Sequence, residues 1–107
     1  MKTSLVKIVV YVPVSHAERV REALGNSGAG HIGNYDFCSF SAKGFGRFRP
    51  LKGANPHIGK VGRSEKVLEE RIETVCPKKI LKKVLMLVKK AHPYEEPAID
   101  VYPLLNN

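Results

Sequence analysis

The first stretch dominated by hydrophobic positions is Leu5-Val6-Lys7-Ile8-Val9-Val10-Tyr11-Val12-Pro13. Rich in Val and Ile, it reads as a strand. Val6, Ile8, Val10 and Val12 fall on one side, and Leu5, Lys7, Val9 and Tyr11 on the other. The second side is mixed rather than polar, so partial cover is expected on both faces. The period then changes. From Ser15 onward, Ala17, Val20, Ala23 and Leu24 recur at helical spacing, with Arg19, Arg21 and Glu22 between them. Ser15 followed by Glu18 has the spacing of a capping box, in which hydroxyl and carboxylate each satisfy an orphan amide. Gly25 to Gly30 closes the helix in a loop of small residues.

Alternation returns at residues 34–41, which read as a strand. Ala42-Lys43-Gly44 reads as a tight connection, and residues 45–49 as the returning strand of a hairpin. Pro50 to Gly62 is a loop punctuated by Gly, Asn and Pro, long enough to suggest a function. Residues 65–75 alternate again and read as a long strand, with a helix as the alternative because Leu68 and Ile72 are also four apart. Leu68, Ile72 and Thr74 share one face, and Glu69, Arg71 and Glu73 the other. A helix starts at Cys76-Pro77, with Pro77 at its first position. Its buried stripe is Ile80, Val84, Leu87, Val88 and Ala91, and Pro93 stops it. Residues 98–105 form the last strand. This order defines a single domain, 1–107, of α+β class. It is a ferredoxin-like (βαβ-βαβ) sandwich with an extra hairpin and a long loop. Both helices lie on one sheet face. The other face, carrying Leu5, Val9 and Tyr11, is a candidate subunit interface.

Composition narrows the function. The chain has 107 residues, 43% hydrophobic and 26% charged, which is ordinary globular usage and excludes disorder. No run approaches the roughly 18 apolar residues of a membrane span. The Leu5–Val14 run is broken by Lys7, Tyr11 and Pro13 and lacks a small-residue cleavage site, so it reads as a strand rather than a leader. Cys38 and Cys76 have no CxxC spacing and read as free thiols in a reducing cytoplasm. Of the net charge of +8, six lysines between Pro77 and Lys90 account for +6, leaving the remainder at +2. One helix face is therefore basic, and lysine is a good helix former on a solvated face. With no nucleic-acid motif, no stacking aromatics along that face and no Trp, neither a specific nucleic acid nor a membrane is expected as partner.

The chemistry concentrates in two places. In Ala91 to Leu105, a lysine-rich helix stops at His92-Pro93 and Tyr94, Glu95 and Glu96 follow. A histidine at a helix C-terminus and a proline-bracketed turn explain this as plain structure. Alternatively, His92, Glu95 and Glu96 offer imidazole and carboxylate donors to a divalent metal ion, the one candidate cofactor. The second place is the loop Arg49 to Gly62. Gly53, Gly59 and Gly62 permit close backbone approach, and Lys52, Lys60 and Arg63 can meet an anion. It is not a phosphate-binding P-loop, because GxxxxGK[ST] and a following helix are missing. No catalytic residues emerge: Ser39 and Ser41 lie outside any GxSxG turn, and neither cysteine has a base nearby in sequence.

The elements GNYD (Gly33 to Asp36), GRFRP (Gly46 to Pro50), GANP (Gly53 to Pro56) and HPYEEP (His92 to Pro97), in that order, carry a resemblance. From about Leu5 to Leu104 the chain resembles the PII/CutA-like domain found in YqfO-type members of the dinuclear-metal, NGG-one-interacting-factor family. HPYEEPAI also resembles the ending of the CutA family. The resemblance implies a cytoplasmic homo-oligomer, a trimer built from the open sheet faces. It implies a binding or regulatory module, not an enzyme, sensing a small anionic ligand or a protein partner. It also implies a ligand cleft between subunits, expected to be lined by Gly33, Asn34, Tyr35, Gly53, Asn55, Gly59 and Tyr94. Alternatives are a copper-type divalent-metal protein using His92, Glu95 and Glu96, and a small metal-dependent hydrolase. Two departures bear on these. The metal centre of the larger family belongs to flanking domains, for which 107 residues leave no room. The CutA cysteine after the first helix is replaced here by Gly28-Ala29-Gly30-His31.

Overall fold

In the computed structural model, which describes residues 4–106, the Val-rich run forms the inner strand β1 (Leu5–Pro13). A short 3-10 turn leads to α1 (Ala17–Asn26). β2 (Phe40–Phe48), β3 (Glu65–Pro77), α2 (Leu81–Ala91) and β4 (Ala98–Pro103) follow. The sheet order is β2-β3-β1-β4, with every neighbouring pair antiparallel. This is the ferredoxin-like α+β sandwich expected from the order of the patterns.

The pleat of β1 sorts its side chains as the alternation predicts. Val6, Ile8, Val10 and Val12 face the helices and are buried against Val20, Leu24, Val84 and Val88. Ile72 and Cys76 of β3 join them, because β3 presents alternate residues to the same side. Burying such a Val or Ile is worth about 1.5–3 kcal/mol each, so this layer dominates the stability. At its margin, Arg21 of α1 pairs with Glu70 of β3 and donates to the Ser41 hydroxyl of β2, 3.2 Å away. That ties the first helix to two strands.

Several expectations are corrected. No hairpin turns at Ala42-Lys43-Gly44, because β2 runs straight through it. β2 is paired with β3 over its whole length, from Phe40 opposite Glu73 to Phe48 opposite Glu65. A long partner strand outweighs a weak local turn signal. Residues 34–39 are loop, and the extra hairpin does not exist. The Ser15–Glu18 capping box does not form either. Ser15 lies in the 3-10 turn with its hydroxyl on His16 Nδ1 at 2.8 Å, and α1 starts at Ala17 without a side-chain cap. Pro77 ends β3 rather than opening the helix, and a 3-10 turn (Lys78–Ile80) precedes α2.

The face away from the helices is not bare. Val9, expected on an uncovered face, is fully buried. Lys7 pairs with Glu73 at 3.5 Å, Arg71 with Glu73 at 3.4 Å, and the Arg71 guanidinium lies 5.8 Å over the Tyr11 ring. Phe40 and Tyr102 remain exposed on the same face. Beyond β1, β2 and β3 continue as a two-stranded arm, which gives the molecule its extents of 50 × 22 × 22 Å. No helix among the described residues is long and apolar enough to cross a membrane.

Candidate functional site

At the C-terminal end of β1 a cleft of about 380 Å³ opens on the face away from the helices. Its floor is sheet: Tyr11 of β1, Gly46 and Phe48 of β2, and Glu69 of β3. Its walls are the two segments singled out by sequence, Tyr94 to Glu96 and the loop through Pro50, Ala54, Pro56 and His57. Arg47 and Arg49 stand at the rim.

His92 organises the first wall. Only 6% exposed, it has both ring nitrogens in use. Nε2 donates to the Tyr11 carbonyl at 2.7 Å, and Nδ1 accepts from the Tyr94 amide at 3.1 Å. This pattern is that of the neutral Nε2–H tautomer. Burial lowers its pKa, the Tyr11 carbonyl opposes that shift, and nearby His16 and His57 add to it. Held in this way, the chain turns over the end of the sheet and delivers Tyr94 to the cleft.

The Tyr94 ring meets Phe48 at a centroid distance of 5.7 Å and His57 at 6.3 Å. Its hydroxyl donates to Glu69 Oε2 at 3.1 Å. Burial, and after it the Glu69 carboxylate, push the phenol pKa well up, so Tyr94 is a neutral donor at physiological pH. Glu69 is itself 8% exposed. It fits because Gly46 lies beneath it: a Cβ at Gly46 would overlap the Glu69 carboxylate. Glu95 secures the second wall, its Oε1 accepting from the Asn55 amide at 2.8 Å. The His57 ring then stands edge-on to His16, with centroids 5.6 Å apart.

Of the residues expected at a ligand site, Tyr94 lines the cleft and Asn55 braces its wall. Gly53 and Gly59 lie in the same loop with left-handed φ of 98° and 95° but do not line the cleft, and neither do Lys52, Lys60 and Arg63. Gly33, Asn34 and Tyr35 are elsewhere. Gly33 and Asn34 form a two-residue turn closed by reciprocal Ile32–Tyr35 backbone bonds of 2.8 and 2.9 Å. That turn belongs to the loop anchored by Gly30 to Val75, at the opposite end of β3 from Glu69. One chain therefore does not join it to the cleft. Of the residues expected to hold a metal, His92 has both ring nitrogens engaged within the chain and Glu95 bonds the Asn55 amide; among the described residues no three His, Cys, Asp or Glu side chains converge on a common point. Sequence reasoning missed Glu69, Gly46, Tyr11 and Phe48. Glu69 reads as an ordinary polar position of an alternating strand, and only the sheet register puts it beside Gly46. Cys38 and Cys76 are free thiols, as expected.

The fold and its open-face cleft define a small α+β domain with the ferredoxin-like architecture of CutA proteins. CutA1 from Oryza sativa superposes with a TM-score of 0.71 at 15% identity, over 98% of this chain and 84% of that one. At such identity the likeness is one of fold. By sequence the chain is similar to part of a larger protein, the GTP cyclohydrolase 1 type 2 homolog of Bacillus subtilis. The two are 56% identical over 100 residues, which cover 94% of this chain and 27% of that protein. A solved Bacillus cereus protein related to NIF3 matches at 52% identity and a TM-score of 0.85, over 97% of this chain and 26% of its own. The chain thus spans about a quarter of the length of the curated relatives it matches. No protein-family model matches it. The expected likeness to one domain of a larger NIF3-related protein is met at this level.

Proposed function

We propose that this chain is a binding or regulatory module, without catalytic turnover, that takes a small ligand or a partner segment in the Tyr94 cleft. The supporting observation is the way both walls are fixed by long-range bonds, Tyr94 to Glu69 and Glu95 to Asn55. Walls held in advance lose little entropy when a ligand arrives. In this reading the protein is cytoplasmic and trimeric. Its exposed Phe40 and Tyr102 meet neighbouring copies, and the Gly33–Tyr35 turn approaches the cleft of another subunit. The activity named for the larger relatives is theirs, and ligand binding is what we assign to this segment.

Native mass spectrometry of protein purified without chelator or a histidine tag tests the proposal. A trimer carrying a stoichiometric mass, lost on Tyr94→Ala, is expected. A concentration-independent monomer by light scattering removes the trimer. An unliganded species that also binds nothing from a metabolite mixture removes the ligand site. A second reading, divalent-metal binding, draws on His16 and His57 rather than on His92. Two imidazoles with centroids 5.6 Å apart are spaced as two ligands of one metal ion, which a neighbouring subunit's donors would have to complete. Equilibrium dialysis against Zn²⁺ and Cu²⁺ with His57→Ala separates it from the first reading.

A further inference from the structure

The Tyr94 cleft holds a carboxylate with no ion-pair partner among the described residues. Glu69 is more than nine-tenths buried, yet among the described residues no Lys, Arg or His nitrogen lies within 4 Å of its carboxylate, and it belongs to none of the ion pairs. Oε2 accepts the Tyr94 hydroxyl. Oε1 accepts no hydrogen bond among the described residues and lies over Gly46, on the cleft floor. The next cation on the same strand face, Arg71, is engaged with Glu73. Oε1 is open to the cleft rather than sealed, so a cation that enters can replace solvent there with a charge-assisted hydrogen bond.

The surroundings say what kind of partner fits. Tyr11, Phe48 and Tyr94 all line the cleft, and aromatic faces beside a carboxylate attract organic cations more strongly once water is excluded. The same face already accommodates a guanidinium against an aromatic ring, that of Arg71 over Tyr11. Two further carboxylates, Glu95 and Glu96, border the cleft. Arg47 and Arg49 carry the opposite charge, but both are exposed. Solvent and salt screen them, whereas the field of Glu69 acts in a buried setting.

We infer that the Tyr94 cleft binds a small organic cation, an ammonium or guanidinium group, which donates to Glu69 Oε1 and packs against Tyr11, Phe48 and Tyr94. This rests on the cleft being the ligand site and names the chemistry that it selects. Gly46 is then a specificity residue, because any side chain there would displace the oxygen that reads the cation.

L-Arginine and L-citrulline test this directly. They match in shape and differ in whether the terminal group is a charged guanidinium or a neutral urea. NMR titration follows the amides of Phe48, Asn55 and Tyr94, with each probe raised to about 20 mM, beyond the millimolar edge of specific affinity, and ionic strength held with NaCl. Arginine is expected to bind about tenfold tighter than citrulline, the scale of one charge-assisted hydrogen bond. Glu69→Gln, which keeps an acceptor for Tyr94, is expected to abolish that difference. Equal binding of the two probes by the wild type, or an unchanged preference in a folded Glu69→Gln, overturns the inference and leaves the cleft as a ligand site. No binding of either probe, together with no stoichiometric mass in the native spectrum, overturns both readings. The wild-type comparison decides even if Glu69→Gln fails to fold.

Discussion

The two ends of the sheet offer a comparison. Both carry a loop that draws attention in the sequence for its glycine, asparagine and tyrosine. At one end, Gly33-Asn34 forms a turn that bonds to its own flanks, Ile32 and Tyr35, and Tyr35 stands 74% exposed. At the other, Tyr94 and Asn55 are bonded to residues 25 and 40 positions away, Glu69 and Glu95. Local composition is alike. What differs is whether the turn residues themselves find partners distant in sequence. A turn that satisfies only itself can be cut or changed at little cost, while a segment stitched to three strands cannot. The stitched end holds the Tyr94 cleft.

The largest expected effect is at Gly46. Gly46→Ala places a methyl where the Glu69 carboxylate lies and is expected to destabilise by about 1–3 kcal/mol, as overpacking does. Gly44→Ala, two residues away in the same strand with open space around it, is expected to be neutral or to stabilise by about 0.5–1 kcal/mol. Urea denaturation of both separates close contact from strand propensity, and equal effects would show that Glu69 moves aside freely.

His92→Gln comes next. It removes a ring that satisfies the Tyr11 carbonyl and the Tyr94 amide, with an expected cost of about 1–3 kcal/mol. The same residue shapes the pH response. The native pKa of His92 lies below the ordinary value of 6.5, so the unfolded chain takes up the proton first as pH falls. His92 therefore contributes stability above pH 6.5 that is lost as pH drops through 6.5 towards the lower native value. Denaturation midpoints measured from pH 8 to 5 should fall, and His92→Gln should flatten that limb. Tyr94 governs the alkaline side. Its pKa is raised, so its contribution is complete below the ordinary value near 10 and is lost as pH rises above it. Tyr94→Phe should remove that loss.

The smallest effect is expected at the opposite end of the sheet. Asn34→Ala should stay within about 0.5 kcal/mol, and Gly33→Ala should cost about 1 kcal/mol, because φ there is +57°. Hydrogen exchange sharpens the contrast: the Asn55 amide should be protected and lose protection in Glu95→Ala. Fast exchange at Asn55 in the wild type would place both loops in one class.

The repeating pattern of hydrophobic positions was enough to read the α+β class, the order of strands and helices, and the inward face of β1. A strand or helix announces its buried side through a period of two or near 3.6, whatever its neighbours are. The stretch Tyr94 to Glu96 was legible as an unusual density of functional groups behind a helix stop. Tertiary structure decided everything that depends on register. It made one strand of residues 40–48 by giving them a long partner, it buried Val9 on the face away from the helices, and it used up both nitrogens of His92. It also placed Glu69 over Gly46, although each is unremarkable in its own strand. Local spacing determines which way a side chain points, but the residue it meets there is set by how the strands align. That alignment is fixed by the core, not by the residues of the cleft.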